Sequence, residues 1–185
     1  MEDHFQQIFG SENGPLKKSS YEECSFRHLD LSNQDLAEFK FIDCHFHECN
    51  LSNCKLRDTS FQDCEFKNSK LIGLPFEDCK SFNFGISFID SQLGQSSFYQ
   101  MDLSNCSFNG SVLEEVDFTE ADLNGIRIKD CDLMNATFDR TNLEGIDLSA
   151  SKNLQLDPQI NQLKGAKIPS DQLIGLLVNY GIMVV

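Results

Sequence analysis

The sequence predicts an all-β solenoid with four-sided coils, and three patterns predict it. The first is an apolar residue at every fifth position. It runs through Tyr21, Phe26, Leu31, Leu36, Phe41, Phe46, Leu51, Leu56, Phe61, Phe66, Leu71 and Phe76. It resumes at Phe88 and continues through Leu93, Phe98, Leu103, Phe108, Leu113, Phe118, Leu123, Ile128, Leu133, Phe138, Leu143 and Leu148. Every one of these centres is apolar in a chain that is 40% apolar. Neither a helical period of about 3.6 nor a strand period of about 2 stays in phase with five over such a length. Self-similarity at a fixed period means stacked repeats.

The second pattern lies two positions before each centre. All of the cysteines fall there: Cys24, Cys44, Cys49, Cys54, Cys64, Cys79, Cys106 and Cys131. Elsewhere the slot holds Ser69, Ser91, Ser96, Ser111, Ala121, Ala136 or Thr141. Each unit therefore points one small and one large side chain inward and leaves three positions for water.

The third pattern appears when the chain is stacked four units at a time. Leu31, Leu51, Leu71, Leu93, Leu113 and Leu133 form one wall, and Phe26, Phe46, Phe66, Phe88, Phe108 and Ile128 a second. Leu36, Leu56, Phe76, Phe98, Phe118 and Phe138 form a third, and Tyr21, Phe41, Phe61, Leu103, Leu123 and Leu143 a fourth. Like stacks on like, which a four-sided coil needs and a bare five-residue period does not. The columns join only if two residues are gained between Phe76 and Phe88, so an interruption is predicted on the fourth wall near 80–86.

Met101-Asp102-Leu103-Ser104-Asn105, Ala121-Asp122-Leu123-Asn124-Gly125 and Cys131-Asp132-Leu133-Met134-Asn135 resemble the unit A-(D/N)-L-x-x of the pentapeptide-repeat family. The resemblance covers roughly residues 19 to 150. It implies a right-handed quadrilateral β-helix, here of about seven coils.

The elements follow in order. Residues 1–18 are expected to cap the first coil, with Phe5, Ile8 and Phe9 forming a short amphipathic turn, because an open solenoid end exposes apolar side chains and strand edges. Residues 19–150 form the repeat. At the interruption, Phe82 or Phe84 either fills the core beside Gly85, with Asn83 in the turn, or projects as a contact loop.

Asp157-Pro158 predicts the start of a short helix, and Ser170 or Asp171 the cap of a second. That second helix presents Leu173, Leu176, Leu177 and Tyr180 on one face, ends at Gly181, and leads into a terminal strand 182–185 containing Ile182 and Val184. An apolar helix face and strand at a solenoid end need a cover, supplied by the last coil or by a second copy of the chain. Residues 151–185 are thus a C-terminal cap and candidate dimerisation segment.

Charge narrows the function. The formal net charge is −14 and the pI about 4.5, which disfavours nucleic acid or an anionic membrane as a partner and favours a basic protein surface. No apolar run is long enough to span a bilayer, and residues 1–15 lack the basic start and apolar core of a secretory signal; a cytoplasmic protein is expected. There its thiols stay reduced, packed as small hydrophobes. The run Cys44-His45-Phe46-His47-Glu48-Cys49 suggests zinc on paper. In the repeat, however, its cysteines point in while its histidines point out, so no metal is expected. No catalytic constellation, cofactor motif or substrate cleft is legible, and an enzyme is not expected.

The outward carboxylates are ordered. Glu23, Asp43 and Asp63 form one column, Glu38, Asp58 and Asp78 the next, and the two flank the fourth wall. Asp102, Asp122 and Glu144 extend that wall. Two such columns at the strand spacing place a charge about every 2.4 Å, against one per roughly 1.7 Å on duplex DNA.

The tail adds a second resemblance. Asp157-Pro158-Gln159-Ile160-Asn161, Lys167-Ile168-Pro169, Leu176-Leu177 and Gly181-Ile182 resemble the end of immunity proteins that protect DNA gyrase from a peptide microcin. This resemblance implies a tail-to-tail homodimer that imitates DNA on gyrase and shields the enzyme from a microcin or quinolone; whether topoisomerase IV is bound as well is left open by the sequence. The acidic residues above, with Phe82, Asn83 and Phe84, are then the gyrase-contact candidates. The alternative is a non-enzymatic regulatory scaffold for another basic protein.

Overall fold

All the large side chains at the centres of the five-residue units are buried, from Tyr21 to Leu148. That burial dictates the architecture: the chain winds as a parallel β-solenoid of about six turns. It is seen in a computed structural model that describes residues 3–11, 14–177 and 180.

The fourth wall begins as a parallel sheet of β1 (Asp3–Phe5), β3 (Ser20–Glu22), β5 (Lys40–Ile42) and β7 (Ser60–Gln62), in that order. The second wall is a longer sheet. It contains β2 (Ile8–Phe9), β4 (Ser25–Arg27), β6 (His45–His47), β8 (Cys64–Lys67), β9 (Ile86–Ile89), β10 (Ser107–Asn109) and β11 (Ile128–Lys129). The first and third walls are held by single bridges, such as Asp30 to Asn50 to Lys70 and Asp117 to Thr137.

Aromatic columns lock the register. Phe26 and Phe46 stack at 4.5 Å, Phe46 and Phe66 at 4.4 Å, and Phe76 and Phe98 at 4.6 Å. Adjacent columns meet edge to face, as Phe98 does with Phe108. Both geometries suit the ring quadrupole. A slip of one unit would place Leu columns on Phe columns, so the packing reads the register directly.

The small inward slot does hydrogen-bonding work as well. Thr59, Thr141 and Ser151 each donate to a carbonyl of the preceding coil, Leu36, Phe118 and Ile128. Ser69 Oγ accepts from the amide of Cys49, and Ser91 Oγ from the amide of Ser69. These corner amides would otherwise be buried without partners. Cys44 and Cys64 direct their thiols to the carbonyls of Tyr21 and Phe41.

The corners also explain the polar composition. The last residue of most units takes a left-handed backbone, with φ between 49° and 63° at positions such as Asp63, Asn53 and Glu38. Asn, Asp and Gly tolerate that region best. The corner also accepts residues without that preference, Glu23, Glu38, Glu48, Glu115 and Glu120 together with Gln95, Gln100 and Arg140.

The interruption falls where the stacking required it. Cys64–Lys67 pairs with Ile86–Ile89, a step longer by two residues than that between β6 and β8. Phe84 is buried against Phe76 and fills the level between Phe61 and Leu103. Phe82 does not enter the core: it is 74% exposed. Gly85 lies against Asn105, where a Cβ would be tight.

Both ends differ from expectation. At the N-terminus, residues 3–9 pair in register with β3 and β4 rather than forming an amphipathic turn. His4 and Phe9 stack on Tyr21 and Phe26, while Phe5 and Ile8 face water. A strand continues the ladder at the open end and satisfies edge groups that a turn would leave free.

At the C-terminus, coil character persists past residue 150. Asn142 bridges Gln162 and Asp147 bridges Lys167, and Asn161 fills a small slot, accepting from the Thr141 amide and donating to Phe138. Asp157 initiates no helix. Its carboxylate accepts the Gln159 amide in an Asx turn, as Asp102 and Asp122 do with Ser104 and Asn124. The second helix is a 3₁₀ helix, Ser170–Leu176, that follows Pro169 without a side-chain cap. Residues 181–185, including Ile182 and Val184, lie outside the described residues.

Candidate protein-interaction surface

The two acidic columns stand as expected on either side of the β1-β3-β5-β7 sheet. The Glu23 amide bonds Ile42, that of Asp43 bonds Gln62, and that of Glu38 bonds Arg57, so successive carboxylates repeat once per coil. Glu23, Asp43, Asp63, Glu38 and Asp58 project from left-handed corners. Asp78 departs from them and ends a 3₁₀ turn, Phe76–Asp78, though its carbonyl still accepts the Asp58 amide. All six are exposed. Further along, Asp102 and Asp122 are exposed and Glu144 is half-buried.

The structure adds cations to this wall that the column reading passed over. Lys18 Nζ lies 2.7 Å from Glu38, and its hydrogen bond and charge, aided by Arg57 and Lys80, hold that carboxyl below its usual range. Arg140 binds Glu120 at 2.8 Å. The signal was available: Lys18 and Arg140 sit one coil from Glu38 and Glu120. The column at Glu23, Asp43 and Asp63 carries no such ion pair among the described residues, although Gln6 donates to Glu23 at 2.6 Å.

The side of the fourth wall changes at the interruption. Phe84, Met101, Tyr99, Glu77 and Asp102 line a groove of about 580 Å³. Phe82 stands beside it on a tight turn in which the Phe84 amide bonds Ser81 and Asn83 is left-handed. Burial pushes the Glu77 carboxyl above its ordinary value. Glu77 and Tyr99 went unnoticed in the sequence because each occupies an ordinary outward slot.

At the C-terminal end, Leu176 packs on the core, and the amide of Leu156 bonds Gly175. Leu173, Ile174 and Tyr180 face water, and Leu177 is half-buried. Thus Leu173 and Tyr180 are each exposed, while Leu176 covers the coil instead.

All the cysteines are free, and all but half-buried Cys79 are buried. Burial pushes the Cys44 and Cys106 thiols up to about 12, and Cys54 and Cys131 to about 11. Cys44 and Cys49 point inward while His45 faces water and His47 is half-exposed. No group of three or more His, Cys, Asp or Glu suited to a metal ion occurs among the described residues.

A solid apolar column with charge arranged on its outer walls defines a protein of the β-solenoid class. Its family is specific: the chain belongs to the pentapeptide-repeat family. A model of the pentapeptide repeat region matches residues 15–84, and one of pentapeptide repeats in eight copies matches residues 86–125.

Among solved structures, a trypsin-treated form of QnrB1, a plasmid-mediated fluoroquinolone resistance protein, is similar with a TM-score of 0.62 and 18% identity. That match covers 99% of this chain and 97% of the other. HetL, a pentapeptide repeat protein involved in heterocyst differentiation regulation from the cyanobacterium Nostoc, is 14% identical with a TM-score of 0.40. It covers 89% of this chain and 84% of its own. No curated protein sequence matches the chain.

Proposed function

We propose that this protein is a DNA mimic that occupies the DNA-binding surface of DNA gyrase and protects the enzyme from a topoisomerase poison such as a peptide microcin or a quinolone. The observation that carries the reading is the pair of carboxylate columns along the two edges of a flat sheet. Five of the six carboxylates project from rigid left-handed corners, so they present charge at fixed spacing as a phosphate backbone does. Resemblance of the tail to gyrase-protecting immunity proteins and likeness of fold to a fluoroquinolone resistance protein support the same reading.

The role is binding, not catalysis, and it is exercised in the cytoplasm. Two copies joined at their C-terminal ends would form a rod of some 70 Å including tails, a length of duplex carrying about 40 charges. The pair has twice the formal charge of −14, within a factor of two of that duplex.

The test is a gyrase binding and supercoiling assay with Glu23→Gln, Asp43→Asn and Asp63→Asn combined. The fold should hold, since these side chains make no core contact. Binding should weaken about tenfold or more and lose part of its salt dependence. A matched triple change at Arg27, Lys67 and Lys129 on the second wall is the control. Equal binding by both variants would overturn charge mimicry by this wall, and wild-type protein indifferent to gyrase would favour a scaffold for a different basic partner.

A further inference from the structure

The fourth wall carries one feature that a DNA imitation does not need: the groove at the interruption, with exposed aromatic rings beside it. Carboxylates alone compete for a cationic surface as DNA does. An aromatic pocket edged with carboxylates adds a contact that DNA cannot offer.

The groove is acidic and aromatic at once. Glu77 and Asp102 lie in its lining with Tyr99, which is 40% exposed. Its floor is apolar, from Phe84 and Met101, and none of the residues lining it is basic. The chain's own Arg140, whose charge also reaches Tyr99, is held by Glu120 at 2.8 Å and Asp139 at 3.1 Å. A planar guanidinium has the matching chemistry, because it stacks on an aromatic face while its edge donates to carboxylates. Phe82 beside it supplies an apolar anchor of the kind that dominates protein interfaces.

We propose that this groove receives an arginine side chain from a basic segment of the partner protein, with the guanidinium on Tyr99 between Glu77 and Asp102. The inference rests on the fourth wall facing a protein. It names a contact of that wall distinct from the carboxylate columns.

The test uses the full ¹⁵N-labelled chain and three probe peptides, acetyl-Gly-Arg-Gly-amide and its lysine and citrulline counterparts, followed by NMR titration. The arginine peptide should shift resonances of Glu77, Tyr99 and Asp102 and leave those of Glu23 and Asp43 unmoved. The citrulline peptide should bind about fivefold more weakly or not at all, and the lysine peptide in between. Tyr99→Leu and Asp102→Asn should each abolish the localised shift. Both are expected to fold, since Tyr99 is exposed and Asn keeps the acceptor that Asp102 offers Ser104. Shifts spread evenly along the acidic wall, no shift at all, or equal shifts with citrulline would overturn the proposal. Because no gyrase is present, this outcome is separate from that of the gyrase assay.

Discussion

At the scale of single residues, the small inward slot is the most constrained position. Ser and Thr there satisfy corner amides and carbonyls, whereas Cys packs as an apolar group with a weak donor. Burial shuts these thiols away from reagent, so native protein at pH 8 should resist a small alkylating compound. Cys79, the most exposed of them, should be the first to label even though burial and the neighbouring Asp78 and Glu77 carboxylates push its thiol up, and mass spectrometry of native against unfolded protein checks the order; prompt labelling of most thiols would contradict the inward assignment.

The same thiols set an alkaline limit. Their folded pKa values of about 11–12 lie above the unfolded value of about 8.5. Between these values the folded state holds more protons, so stability is full below about pH 8.5 and falls as pH rises toward 12. Each thiol contributes a slope of about 1.4 kcal/mol per pH unit there. Denaturant midpoints measured from pH 7 to 10.5 should show this loss, and Cys44→Ser, which keeps a donor in place, should reduce it by one thiol's share.

At the scale of elements, the two departures from the repeat behave differently. The interruption is absorbed locally: Phe84 restores the core and the ladder resumes at β9. The 3₁₀ helix at the end is held by Leu176, by bonds from the Leu154 and Leu156 amides, and by a close approach at Gly175. A methyl group on Gly175 would run into the Leu154 carbonyl, so Gly175→Ala should lift the helix from the last coil and expose Leu154 and Leu156. A cost of about 1–3 kcal/mol is expected for such overpacking. Limited proteolysis should then cut within 168–177 while the coils stay intact; an unchanged cleavage pattern would mean that the helix end tolerates the shift.

At the scale of the whole molecule, assembly through the C-terminal end is a proposal with a direct check. Leu173 and Ile174 are 48% and 56% exposed, and neither covers the coil. Leu173→Ser combined with Ile174→Ser should leave folding unaltered and convert a dimer to a monomer in sedimentation velocity. A dimer that persists in the double variant would place the interface elsewhere.

Most of the solenoid was legible before any coordinates. The five-residue period, the small slot and the four like-on-like columns specify which side chains go inward, because burial of a repeated apolar pair leaves one regular solution. Even the two-residue gain before Phe88 followed from column matching. The site was legible in part. Column positions of the carboxylates came from the period; the one-coil spacing also offered the pairs Lys18–Glu38 and Arg140–Glu120, but whether they close depends on how long side chains reach across one coil.

The choice between Phe82 and Phe84 for the core, the groove at Tyr99, the strand pairing of residues 3–9 and the coil beyond residue 150 were decided by tertiary structure alone. At those places the repeat is broken or degenerate. Local pattern then carries no phase, and the packing of neighbouring coils selects which side chain is buried.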